Sequence, residues 1–251
     1  MENTKLLAYL DELLTPWQFR DYCPNGLQVE GAKEVQKVIT GVTASQALID
    51  AAIDQGADAI LVHHGYFWKG ESQAITGMKK NRIKALLEND INLYAYHLPL
   101  DAHPVLGNNA QLATLLGIEG NDPVEKGNAN SVIRSGYFPN GITPVQLQQR
   151  INAVLERAPM VELAGPDEIH SVAWCTGGGQ SYIELAAQQG IDAFITGEAS
   201  EQTIHTAREM GIHFFSAGHH ATERYGAKAL GEHLADELGL TVEFIDIPNP
   251  V

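Results

Sequence analysis

"GVTASQALIDAAIDQGADAILVHHG" (Gly41–Gly65) decides the fold. It reads as a small-residue turn, an amphipathic helix, a Gly-x-Asp-Ala turn, and an apolar strand that ends in His63 and His64. "CTGGGQSYIELAAQQGIDAFITGEA" (Cys175–Ala199) repeats the same grammar, with Asp192 opposite Asp58 and Glu198 opposite His64, both at an offset of 134. The correspondence continues downstream. "INLYAYHLPLD" (Ile91–Asp101) and "IHFFSAGHHATE" (Ile212–Glu223) are each a strand that runs to a histidine, with a carboxylate four residues later: His97…Asp101 and His219…Glu223. A helical pattern follows each. Two matches in the same order predict two related α/β lobes.

Between the repeats, the sequence predicts a strand from Asn130, a turn at Pro139-Asn140-Gly141, and a helix capped at Thr143-Pro144. The polar, Gly/Pro-marked segment Asp122–Gly127 places the boundary so that residues 1–124 form one lobe and 125–251 the other. The C-terminal strand, 240–251, is free to return to either lobe. At the N-terminus, Leu6, Leu7, Leu10, Leu13 and Leu14 mark one face of a helix.

In open α/β sheets, ligands sit beyond the carboxyl ends of the strands, where His63, His64, His97, Glu198 and His219 all fall. Adjacent residues of a regular strand point to opposite faces. A strand end followed by glycine can bend, so that both imidazoles approach one pocket. Two metal ions some 3.5–4 Å apart would give each histidine its own ion. His219 and Glu223 share a face if their segment is helical, and Asp101 adds a carboxylate able to bridge. His220 competes with His219 as donor; the four-residue spacing, shared with His97…Asp101, favours His219. These donors are nitrogen and oxygen only, which suits Fe, Mn, Zn, Ni or Co. The pair of ions would leave a positive pocket for a small anionic substrate. The remaining histidines, His103, His170, His205, His213 and His233, are expected on the surface or in ordinary hydrogen bonds. "TGGGQS" (Thr176–Ser181) lacks the lysine of a phosphate-binding loop and reads more readily as a tight turn with close packing.

The whole chain has 251 residues, 44% hydrophobic and 19% charged, which supplies a sizeable core. Its formal net charge of −15 opposes a phosphate backbone, so nucleic acid is a disfavoured partner. No apolar run is long enough to span a bilayer. The N-terminus does not have the pattern of a signal peptide. Cys23 and Cys175 stand alone, as free thiols of a cytoplasmic protein.

The motifs "VHHGYFWKGE", "YHLPLDAHPVLGNNAQLA" and "ITGEASEQTIHTAREMGIHFFSAGHHATE" resemble the signatures of the Nif-three-like proteins in their short bacterial form. That family carries the label type 2 GTP cyclohydrolase I. "PNGLQVEG" (Pro24–Gly31) fits its N-terminal Asn-x-Gly-Leu-type motif imperfectly. The resemblance covers nearly the whole chain. It implies that the two lobes form a cleft holding a dinuclear metal centre, with His63, His64, Asp101, His219 and Glu223 as ligands, His97 as an adjacent or additional ligand, and Glu198 as a nearby acid or base. It also implies a toroidal homohexamer.

Three functions follow. The first is a hydrolase of a small anionic molecule, such as a purine nucleotide, using two divalent ions per chain, with Glu198 or His97 carrying protons. The second is a non-catalytic metal-binding or iron-trafficking protein. The third, a ring that acts on DNA in repair, is opposed by the charge.

Overall fold

The computed structural model describes residues 1–251. In chain order the elements are α1 (Asn3–Leu14), β1 (Gly26–Val29), β2 (Lys37–Thr43), α2 (Gln46–Asp54), β3 (Ala59–His64), α3 (Gly77–Glu88), β4 (Asn92–Ala95) and α4 (Leu98–Ala102). Then come α5 (Asn108–Leu116), β5 (Glu119–Pro123), β6 (Arg134–Ile142), α6 (Pro144–Leu155), β7 (Met160–Glu162), β8 (Ile169–Cys175) and α7 (Ile183–Gln188). The chain ends with β9 (Ala193–Thr196), α8 (Glu201–Met210), β10 (His213–Ser216), α9 (His219–Leu238) and β11 (Thr241–Phe244).

Two compact units result: residues 1–100 with 226–248, and residues 101–225 with 249–251. The division lies earlier than the 1–124/125–251 partition read from composition. The reason is packing: Leu112, Ala113 and Leu116 of α5 are buried in one cluster with Leu147 and Ile151 of α6 and Trp174 of β8. Polarity marks where a loop is; buried apolar area decides which core owns the helix before it.

The first unit holds a five-stranded sheet, ordered β1-β4-β3-β2-β11. Strands β2, β3 and β4 run parallel, β1 pairs antiparallel with β4, and β11 returns parallel to β2. The second unit holds a six-stranded sheet, ordered β5-β6-β8-β9-β10-β7. There β8, β9 and β10 are parallel, β7 pairs antiparallel with β10, and β6 lies antiparallel to β8. Stripped of β11, β5 and β6, the two sheets have one order and one set of directions. The repeat extends to single atoms. Asp58 Oδ2 accepts from the amides of Gln36 and Lys37 at 2.8 and 2.9 Å. Asp192 Oδ2 accepts from those of His170 and Ser171 at 3.0 and 2.8 Å, 134 positions on. In each case the aspartate before an inner strand satisfies the first amides of the strand beside it.

Local sequence accounts for the elements that carry the site. The parallel strands are near-continuous apolar runs because both faces are covered: Ala59 to His63 are all buried. Leu6, Leu10 and Leu14 bury one face of α1. The Ser45 hydroxyl accepts from the Leu48 amide to start α2, and Thr143 with Gln146 forms a capping box behind Pro144 at the start of α6. The turn expected at Pro139-Asn140-Gly141 lies inside β6. The chain takes it as an irregularity, with the pairing to β8 shifting register between Tyr137 and Ile142 and with Gly141 at φ +65°. No helix is long and apolar enough to cross a membrane.

Candidate metal centre

In the first unit the end of β3 and the loop after β4 bring three imidazoles together. His63 and His64 have ring centroids 4.5 Å apart, His63 and His97 5.0 Å, and His64 and His97 5.8 Å. One ligand-capable nitrogen of each lies within 4.8 Å of the other two. The adjacent pair therefore does turn to one side. Gly65 contributes by its missing side chain, since a Cβ there would overlap the Gln28 amide and Ala95. Gln28 instead accepts from the Tyr66 amide at 2.6 Å, and the Tyr66 hydroxyl donates to the Ala44 carbonyl at 2.8 Å. The chain leaving the histidines is thereby pinned.

The rings are oriented through their Nδ1 atoms. His63 Nδ1 lies 3.1 Å from the Tyr96 carbonyl oxygen. A carbonyl only accepts, so Nδ1 carries the proton and Nε2 of the neutral ring carries the lone pair. His97 Nδ1 lies 2.7 Å from Asp21 Oδ1, and a carboxylate only accepts, so a proton sits on Nδ1 there as well. His64 Nδ1 lies 3.2 Å from the Thr43 hydroxyl, which can donate or accept and leaves that tautomer unassigned. Asp21 is itself held: its Oδ2 accepts from Asn25 Nδ2 and the Leu98 amide, each at 2.9 Å. Burial works to raise the Asp21 carboxyl. The hydrogen bond and charge of His97, with Asn25 and the Tyr22 amide, overcome that and hold it below the usual range.

In the second unit the first turn of α9 provides the donors. His219 and Glu223 do share a helical face, with Nε2 3.2 Å from Glu223 Oε2. His219 Nδ1 lies 2.6 Å from Glu198 Oε1 in the loop after β9. His219 thus lies between two carboxylates, one at each ring nitrogen. Burial disfavours the imidazolium, yet the hydrogen bonds and charges of Glu223 and Glu198 prevail and push His219 up to about 9. At neutral pH a proton sits on the ring between two acids. Asp101 lies on α4, where its Oδ1 accepts from Asn108 Nδ2 at 2.9 Å and from the Thr176 hydroxyl at 3.2 Å. Asn109 ties the same region together. Its Nδ2 donates to the Asp101 and Val132 carbonyls, and its Oδ1 accepts from the Thr176 amide.

"TGGGQS" is explained by the same carboxylate. Gly177 has φ +65°, and a Cβ on it would overlap Glu223. The backbone comes close because Glu223 is buried against it, and the Gly177 amide donates to the Thr222 hydroxyl. The other histidines have local partners. His170 pairs with Glu168, His205 with Glu201, His233 with Tyr9, and buried His213 with the Pro166 carbonyl. His103 accepts from the Leu106 amide. Both cysteines are free thiols, and burial with Asp21 nearby pushes Cys23 up to about 12.

Sequence patterns did not single out Asp21, Thr43, Asn108, Asn109 or Thr176. Asp21 precedes "PNGLQVEG", so the motif was a pointer to it; the asparagines stand in "GNNAQLA". The donor set fits a divalent ion on its chemistry. The imidazoles of His63 and His97 are held by hydrogen bonds from Nδ1, the arrangement that sets ring orientation and raises ligand basicity at metal sites, and buried carboxylates stand in the second unit.

By fold and side chains this is a mixed α/β protein with two sheets and buried His/Asp/Glu groups able to hold metal. The chain belongs to the Duf34/NIF3 (NGG1p interacting factor 3) family, which matches residues 1–250. It is 60% identical to a Vibrio cholerae protein and 61% identical to a Haemophilus influenzae protein, each covered in full along with this chain, and each named "GTP cyclohydrolase 1 type 2 homolog". A solved structure described as protein ybgI, of unknown function, superposes with a TM-score of 0.96 at 57% identity over all of both chains.

Proposed function

We propose that this protein is a hydrolase of a small anionic substrate that uses two divalent ions, and that a purine nucleotide is the substrate class. The ligands in this reading are His63, His64, Asp101, His219 and Glu223. The observation that carries it is the imidazole group at the end of β3, in which His63 and His97 each have Nδ1 committed to an acceptor, so that Nε2 is the atom each would offer to an ion. Ions bound there would supply Lewis acidity and a water of lowered pKa.

The chain's own residues do the rest. Asp21 fixes His97 so that Nε2 is the basic atom, which suits it to take a proton from an attacking water. Glu198 aims His219 through Nδ1, and its Oε2 receives Gln180 Nε2 at 3.3 Å. The half-exposed Glu198 can exchange protons with solvent as the leaving group departs. The kinship of the curated relatives, named for a GTP cyclohydrolase, supports the nucleotide class. The same reading includes a cytoplasmic setting, consistent with two free thiols, and a homohexamer, which sedimentation would check.

Elemental analysis of protein purified without added metal is the test. Two ions per chain are expected, and His64→Ala and Glu223→Ala should lose both metal and turnover. Turnover that survives chelation would refute the reading. Exchangeable metal with no hydrolysis across nucleotides, phosphoesters and peptides would turn it to metal carriage.

A further inference from the structure

Beside the imidazole group of the first unit stand two aromatic side chains that no step above uses. Tyr22 is 61% exposed, and its ring centroid lies 6.3 Å from that of His97 at an interplanar angle of 66°. Trp68 lies 4.9 Å from His97 at 83° and 5.9 Å from His64. A lone exposed aromatic needs no explanation. Trp68 is held in place, and at a cost.

Phe67, next to Trp68, has φ +65°. For a bulky side chain that is a strained backbone, and such strain persists only where surrounding contacts impose it. The contacts are present. Lys79 Nζ lies 4.9 Å over the Phe67 ring and 3.3 Å from Glu71 Oε2. Trp68 Nε1 donates to the Gly65 carbonyl at 3.2 Å, and its amide to Glu71 Oε2 at 3.3 Å. The Lys69 amide donates to the Tyr22 carbonyl at 2.6 Å, joining the two segments. Lys69 itself is exposed. The loop therefore holds the Trp68 indole beside the histidines and ties the backbone of Tyr22 to that of Lys69, whose side chain reaches solvent.

We propose that Trp68 and Tyr22 form a stacking subsite for a flat heteroaromatic ring, such as a purine or pterin, with the Lys69 side chain available to an attached phosphate. The subsite rests on the reading of the histidines as the reacting centre and assigns the ring-binding part to named residues. Stacking on an aromatic side chain is sequence-tolerant and strong enough to change affinity by ten-fold or more. The indole hydrogen bond to Gly65 removes rotamer freedom before the ligand arrives.

The test uses the 251-residue chain with three probes, GTP, a free pterin and inorganic tripolyphosphate. Binding is measured by calorimetry and by indole fluorescence, and metal content by elemental analysis. Wild type should bind GTP more tightly than tripolyphosphate. Trp68→Leu should lose about ten-fold in GTP affinity, with tripolyphosphate binding and metal content unchanged. Trp68→Phe should restore most of the GTP affinity, and Tyr22→Ala should weaken GTP alone. Equal binding of GTP and tripolyphosphate to wild type would overturn the subsite, as would a Trp68→Leu protein that binds GTP normally. If neither GTP nor a free pterin binds wild type at millimolar concentration, it is likewise overturned. Failure of the metal reading is separate, because it shows as empty protein in the elemental analysis whatever the probes do.

Discussion

Gly177→Ala is the sharpest probe of the acid–imidazole cluster. The substitution carries two costs. At φ +65° an alanine sits in the left-handed region, which costs an L-residue roughly 1–2 kcal/mol. In addition, the new Cβ would overlap the Glu223 carboxylate and stand 3.1 Å from His219 Nε2. Glu223 is buried and cannot swing to solvent without losing its ion pair with His219, at about 1–3 kcal/mol. Together the metal-free protein should lose roughly 2–5 kcal/mol, read as a lower midpoint in urea with an unchanged slope. Metal content should fall too, since the substitution moves a proposed ligand. The neighbour is the control. Gly178 is exposed, has an ordinary φ, and a Cβ there would meet only Glu198 and Gln180 at 3.7 Å or more. Gly178→Ala should therefore stay within about 0.5 kcal/mol of wild type. If Gly177→Ala matches Gly178→Ala in both midpoint and metal content, the close packing of the loop on Glu223 is not what holds that carboxylate.

Three more outcomes are expected. Asp58→Ala and Asp192→Ala each remove two charge-assisted bonds to strand amides, so denaturant melts should show similar losses, of about 1.5–3 kcal/mol apiece; a large effect in one and none in the other would contradict their equivalence. In metal-free protein His219 is raised from 6.5 to about 9, so its stabilisation is complete below about pH 6.5 and is lost as pH rises through 9; thermal melts from pH 6 to 10 should fall through that window, and Glu223→Gln should flatten the fall. Asp21→Asn keeps the side chain's shape but removes the carboxylate behind His97, and a competition titration with a chelating dye should show metal affinity reduced by about 10–100-fold; unaltered affinity would mean His97 is not part of the centre.

The repeat was legible because it rests on periodic apolar runs and on a chemistry-bearing residue at the same register in each copy. Asp58 and Asp192 aligned before either had a known partner, and each then proved to bind the amides of its neighbouring strand. The shared face of His219 and Glu223 followed from helical spacing alone. What was not legible is what depends on long-range meeting. Asp21 reaches His97 across 76 positions, and Asn109 reaches Thr176 across 67. Neither belongs to a periodic pattern, so neither announces its partner. Short edge strands such as Met160–Glu162 have too few residues to show alternation. At Pro139-Asn140-Gly141 the turn chemistry was real but local, and pairing with β8 on both sides carried the strand through it.

The alignment of His64 with Glu198 has a consequence for how the two repeats differ. One architectural position holds a base in the first copy and an acid in the second, and the acid is what charges the imidazole at the head of α9. A chain built from two identical copies of the first would put a histidine there and leave its α9 counterpart without that acid. The two copies thus share a fold and differ in the charge they place at this one position. A single exchange, Glu198→His, would remove that difference and the acid that partners His219.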